Sequence, residues 1–220
     1  MKLEEKEEEK KEEKEDPCPE KQSINFTFPS DSGERDLRTV ALFGNINEEK
    51  SADICSSLYY LWMNTPDPIP EELLEEGEEQ PETDIRMFIS TFGGDAVEMF
   101  GIYDMMRVVK SDDVDIRTIG TGKVMSAGVL LMAAGTKGKR RITKHCRVML
   151  HQVSAGTFGT LNNMETELEE VKVIQDMYIQ AIADNSNLSV KQIKKLFKTH
   201  ANVYLSAEEA VEYGLADTIV

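Results

Sequence analysis

The sequence predicts an α/β fold built on a largely parallel sheet. Three observations predict it. Strand-like runs alternate with helix-like runs, which requires crossover connections. Two successive units share one plan: DIRMFIS (84–90) and VDIRTIG (114–120) each run into a glycine turn and then a helix-patterned segment. All seven prolines lie at or before Pro81, so glycine is the only strong breaker in the rest of the chain.

The elements follow in order. RTVALFG (38–44) is a short apolar strand ending in glycine, and SADICSSLYYLWMN (51–64) is an amphipathic helix. Residues 65–84 form an acidic, proline-punctuated loop. The strand at 84–90 turns through TFGGD into a helix at 96–110, and the strand at 114–120 turns through Gly120 and Gly122 into an apolar helix at 124–134. RVMLH (147–151) is a strand ending on a histidine, and VSAGTFGT after it is glycine-spaced and extended. A long helix spans 162–185, with Met164, Leu168, Val171, Gln175 and Tyr178 at helical spacing. A short basic helix covers 188–198. Ser206 and Glu209 form a capping box for a last helix that ends at Gly214, and ADTIV closes as an edge strand.

The chain has 220 residues and a net charge of −16, but the charge is localised. Residues 1–20 carry ten acids and five lysines, and residues 64–84 carry nine acids and no base. These two segments account for nearly all of the excess, so the remainder is close to neutral. Such a balance argues against a nucleic-acid partner, which needs a basic patch. Residues 1–35, charged and poor in aromatics, read as a mostly disordered acidic tail, and residues 36–220 as the folded domain. Three scattered cysteines, Cys18, Cys55 and Cys146, give neither a disulfide framework nor a metal spacing. No apolar run approaches the ~20 residues that span a bilayer. The N-terminus has no apolar core of a secretory signal. The expectation is a cytoplasmic protein with reduced thiols, no metal and no membrane partner; an organelle stroma or matrix stays open.

The stretch GTGKVMSAGVLLMAAG (120–135) carries the functional question. It is no phosphate-binding loop: the glycine that loop requires at position 117 is Arg117, and Lys123 is followed by Val124 instead of Ser or Thr. Ser126 reads either as the N-cap of a buried helix or as a nucleophile. The N–H of Ala127 and, from the first unit, that of Gly94 are candidate donors to a developing oxyanion. Paired glycines at Gly93-Gly94 allow close backbone approach. Of three histidines, His145 lies in a basic turn and His200 just after a helix. His151 ends a strand, where ligands meet parallel sheets, and is the candidate base. Val97, Met99 and Phe100 suggest a hydrophobic side-chain pocket, although core packing explains them equally well.

GTGKVMSAG, RVMLHQ with its histidine 25 residues after the serine, and YLSAEEAVEYGLADTI together resemble the ClpP family of ATP-dependent serine protease subunits. FISTFGGDAVEMFGIYDMM is similar to that family's glycine-pair segment. The resemblance covers about residues 38–220. It implies an α/β spiral of strand–turn–helix units shared with crotonases, with helix 162–185 as a protruding handle joining ring to ring. It implies Ser126 as nucleophile, His151 as general base, and Gly94 and Ala127 as oxyanion hole. Extended substrate would pair near Gly93, Asp95 and Ala96 on one side and Val153 and Ser154 on the other. It also implies homo-oligomeric heptameric rings stacked as a tetradecamer, an AAA+ unfoldase partner that alone uses ATP, unfolded protein as substrate, and no cofactor. One departure matters. The family has Asp three residues before the Leu-Ser-Ala of its last helix, and here that position is Asn202. An Asp orients the histidine and stabilises the imidazolium, whereas Asn supplies no charge. Two alternatives to an active peptidase follow: a catalytically weak ring subunit, and a crotonase-type acyl-CoA enzyme on the same fold. MLHQ and SAEEAVEYGL point away from the second.

Overall fold

The computed structural model of the protein describes residues 37–74, 77, 79–199 and 201–220. The acidic tail expected at 1–35 lies outside the described residues, as does His200.

Strand β1 (Thr39–Phe43) alternates inward Val40 and Leu42 with exposed neighbours, the period of two that a half-covered edge strand requires. Helix α1 (Glu48–Met63) starts where Asn47 accepts the Lys50 N–H, earlier than the apolar pattern suggested. The acidic loop has one short 3₁₀ turn at Glu71–Leu73. Strand β2 (Ile85–Thr91) follows, then α2 (Ala96–Ser111), which buries Met99, Ile102, Tyr103, Met106 and Val109 along one stripe. β2 pairs in parallel with β1 on one side and with β3 (Ile116–Met125) on the other.

β3 corrects the sequence reading. The strand does not stop at Gly120 but runs to Met125, and the apolar helix α3 begins only at Ala127, ending at Ala133. The physical reason is a bulge. Ile89 pairs with Gly120 but Thr91 pairs with Val124, so β3 carries extra residues there, and Gly122 takes a φ of 62°. Sequence alone reads Gly120 and Gly122 as a turn; with Gly120 paired to Ile89 and Ile142 and the pairing resumed from Lys123, they form a kink within a strand. All seven residues of α3 are buried, so it is a core helix with no solvent face.

The long β3 feeds two neighbours on one edge. Its middle pairs with β4 (Arg141–Ile142) and its end with β5 (Arg147–His151), both parallel. Helix α4 (Leu161–Asp184) and α5 (Val190–Thr199) follow. β6 (Asn202–Leu205) returns antiparallel to β5, α6 (Ala207–Glu212) opens on the expected Ser206–Glu209 capping box, and β7 (Thr218–Ile219) pairs with β4. The short β4 and β6 have no alternating pattern long enough to read from sequence. The apolar spacing of α4 misleads in another way: only Tyr178, Ile179, Ala181 and Ile182 are buried, near its C-terminus. Leu161, Leu168, Val173 and Met177 are exposed, so most of the helix projects without cover. The result is a mixed α/β fold with a mostly parallel sheet.

A buried ion pair locks the C-terminus to this frame. Arg140 is 3% exposed and donates to both carboxylate oxygens of Asp217, to the Ala133 carbonyl and to the Asn185 carbonyl. Burial pushes the Asp217 carboxyl up, but bonds from Arg140 and the Gly138 N–H outweigh that and hold it below the usual range. Asp217→Ala leaves a buried guanidinium short of its partner. The expected cost is about 3–5 kcal/mol in denaturant unfolding. A change within about 0.5 kcal/mol would show that water reaches Arg140 freely.

Candidate active site

Ser126 and His151 meet because β3 and β5 are parallel neighbours that end side by side. Met125 pairs with Met149, and the Ser126 N–H donates to the Met149 carbonyl at 2.7 Å. Ser126 Oγ then lies 2.7 Å from His151 Nε2. Ser126 is a non-glycine residue at φ 53°, ψ −124°, a sparsely populated conformation that persists only where its surroundings enforce it. It occupies the N-cap position of α3, yet its side chain makes no capping hydrogen bond. The hydroxyl is turned to the histidine instead.

The imidazole is half-buried, and burial holds its pKa below the ordinary 6.5. It is therefore neutral at pH 7. For Nε2 to accept the Ser126 proton, the ring proton must sit on Nδ1. Asn202 is the register partner of His151 across the β5–β6 ladder, so the two side chains share a face of the sheet. Among the described residues, however, no hydrogen bond joins Asn202 to the ring, and Asn202 is exposed. The fold brings position 202 beside the base without engaging its side chain.

The glycine turn approaches from β2. Gly93 takes φ +100°, and a Cβ there would lie 2.6 Å from Ser126 Cβ and 3.1 Å from the Ala127 nitrogen. Gly93 thus packs against the serine and is not among the residues lining the adjoining cleft. Gly94 forms a parallel bridge with Ile46: Ile46 N–H donates to the Gly93 carbonyl, and Asp95 N–H donates to the Ile46 carbonyl. In that pattern the N–H of Gly94 itself points away from Ile46. Neither it nor the Ala127 N–H meets an acceptor among the described residues. Both residues line a cleft of about 260 Å³ together with Ser126 and His151.

Asp95, Ala96, Val153 and Ser154 also line this cleft. Asp95 has a structural task besides: its carboxylate caps α2, accepting from the Val97 and Glu98 N–H groups. Val97 and Met99 face the cleft, but Phe100 does not; it packs on the core, edge-on to Tyr103. His145 is exposed, away from these groups.

Two contacts were not anticipated. The Tyr178 hydroxyl donates to the Ser126 carbonyl at 3.0 Å, and the Val153 N–H donates to Gln175 Oε1 at 2.6 Å. Both come from α4, three residues apart and so on one face. Helical spacing made Tyr178 and Gln175 legible as inward-facing but not as supports of the site. Among the described residues, no cluster of three or more His, Cys, Asp and Glu side chains could hold a metal ion. No helix there is long and apolar enough to cross a membrane.

Fold and site together define a class: a mixed α/β protein with a serine–histidine pair at the carboxyl ends of adjacent parallel strands. The model of the Clp protease family matches residues 34–220, and the chain belongs to that family. It is 35% identical over 157 residues to the ATP-dependent Clp protease proteolytic subunit 1 of Prochlorococcus marinus subsp. pastoris, covering 71% of this chain and 78% of that protein. The protein of the same name from another Prochlorococcus marinus strain is 35% identical over 156 residues, covering 71% and 77%.

Proposed function

We propose that the chain is a serine endopeptidase subunit that hydrolyses peptide bonds of unfolded polypeptides. The observation that carries this is the 2.7 Å contact between the Ser126 hydroxyl, which caps no helix, and His151 Nε2. In this reading Ser126 Oγ attacks the scissile carbonyl as His151 Nε2 takes its proton. The Gly94 and Ala127 N–H groups receive the negative oxygen. The imidazolium returns the proton to the leaving amine, leaving an acyl ester on Ser126. Water, deprotonated by the same His151, then attacks the ester; the imidazolium gives that proton to the departing Ser126 Oγ, and the acid is freed. The cleft walls at Asp95–Ala96 and Val153–Ser154 suit an extended chain. The steps need only protein groups and water, with no cofactor.

The finer assembly belongs to the same proposal. The relatives are named as proteolytic subunits of an ATP-dependent protease. That name supports an AAA+ unfoldase that spends ATP and feeds unfolded chains into a chamber enclosed by the rings. The exposed apolar residues of the projecting α4 suit ring-to-ring contact between two stacked heptamers of this chain. Cys55 and Cys146, unpaired among the described residues, fit a reducing cytoplasm.

One observation favours a second reading, a slow or inactive ring subunit: Asn202 leaves the ring Nδ1 without an acceptor among the described residues. A fluorophosphonate probe separates the two. We expect covalent labelling of the assembled protein, mapped to Ser126, and none of Ser126→Ala. No labelling of the parent between pH 6 and 9 would leave the inactive ring subunit as the reading.

A further inference from the structure

We infer that Tyr178 is a positioning residue that aims the Ala127 N–H into the active-site cleft. The Ser126 carbonyl and the Ala127 N–H are opposite ends of one planar trans peptide, so whatever grips the oxygen sets the direction of the hydrogen. Among the described residues the oxygen has two donors: the Val129 N–H at 2.9 Å, within the turn of α3, and the Tyr178 hydroxyl at 3.0 Å, from a separate helix. Only the second ties the peptide to a group outside its own short helix. The need for such an anchor is visible in the backbone. Ser126 is held at φ 53°, ψ −124°, a sparsely populated conformation that persists only where its surroundings enforce it.

Tyr178 is built to act as a fixed post. It is 3% exposed, and its ring stacks on Phe197 of α5, with centroids 6.5 Å apart and planes 3° from parallel. Burial raises the phenol's pKa, so the group remains a donor throughout the working range. The ring also forms part of the cleft wall. The hydroxyl therefore reaches the Ser126–Ala127 peptide from a side chain with little rotational freedom. An apolar residue at 178 would pack as well but would leave the orientation of the peptide to α3 alone.

This inference rests on the serine peptidase reading, and its test keeps the two separable. Tyr178→Phe keeps the stacked ring and removes only the hydroxyl. Two quantities are measured on the full assembled chain. The first is hydrogen–deuterium exchange in the peptide covering Ala127–Val129, which does not depend on whether the serine reacts. Exchange there should quicken by up to about tenfold, the scale of one lost hydrogen bond. The second is fluorophosphonate labelling with a parallel kcat and KM determination on a fluorogenic peptide. The maximal labelling rate and kcat should each fall about tenfold with KM unchanged, a partial loss of one oxyanion donor because Val129 remains. Unchanged exchange overturns the inference whatever the labelling does. Unchanged kcat with a labelling-competent parent overturns it too, as does a loss confined to KM. Faster exchange in Tyr178→Phe, when the parent never labels, supports the anchor and sinks the peptidase reading instead.

Discussion

Asn202→Asp is expected to raise peptide turnover at pH 8 by about 10² to 10⁴-fold, the inverse of what the opposite replacement costs in a serine–histidine–aspartate site. The register places residue 202 directly across the ladder from His151. An aspartate there has an acceptor for the Nδ1 proton and a charge to balance the imidazolium. Each effect favours the tautomer and the charge state that the proton transfer requires. The pH profile supplies an independent check. At present burial alone acts on His151 and lowers its pKa, so the neutral ring is the major form above pH 6.5. The acid limb of kcat/KM in the parent should therefore lie below pH 6.5. A facing carboxylate stabilises the protonated ring, raises its pKa by about 1–3 units, and moves the limb upward by the same amount. The gain must consequently shrink at pH 6, where more of the variant's base is protonated. An unchanged limb and rate would show that position 202 does not communicate with the ring.

Gly94→Ala is expected to lower kcat by about 10² to 10³-fold, the loss of an oxyanion donor. A Cβ at this position would lie 2.0 Å from the Ile46 carbonyl oxygen and 2.7 Å from its nitrogen. Those are backbone atoms, so no side-chain rotation relieves the clash. The parallel bridge to Ile46 must open, and with it the constraint that turns the Gly94 N–H away from Ile46. Gly93→Ala should do comparable harm by another route: it adds strain at φ +100° and presses on Ser126 itself. Gly44→Ala is the useful comparison, since a Cβ at Gly44 meets nothing within 4 Å although its φ is also positive. Its effect should fall on stability by about 1 kcal/mol and spare kcat. Equal kcat for Gly94→Ala and the parent would remove Gly94 from the proposed oxyanion hole.

Most of the architecture was legible because its signals are local. Alternating burial in Thr39–Phe43, the helical stripe of Met99, Ile102 and Met106, and the reciprocal cap of Ser206 and Glu209 each arise within a few residues. What stayed illegible depends on partners far along the chain. Gly120 and Gly122 look like a turn until strands on both sides hold them as a bulge. β4 and β6 are strands of two and four residues, stabilised by the sheet they join and not by their own pattern. Tyr178 has the spacing of a core residue, and nothing in that spacing tells where its hydroxyl ends.

The sequence by itself determined the class of fold, the order of its longer elements and the candidate groups: a serine after a strand, a histidine at a strand end, a glycine pair, and Asn202 where the family resemblance implies an aspartate. Only the tertiary structure decided what those groups do to one another. It turned the Ser126 hydroxyl from its helix to His151, faced the Gly94 N–H away from Ile46, and set Asn202 opposite the base without a bond to it. The reason is that a hydrogen bond is made over about 3 Å and in a narrow range of angles. Such precision between residues 25 positions apart comes from the register of paired strands, which no local pattern contains.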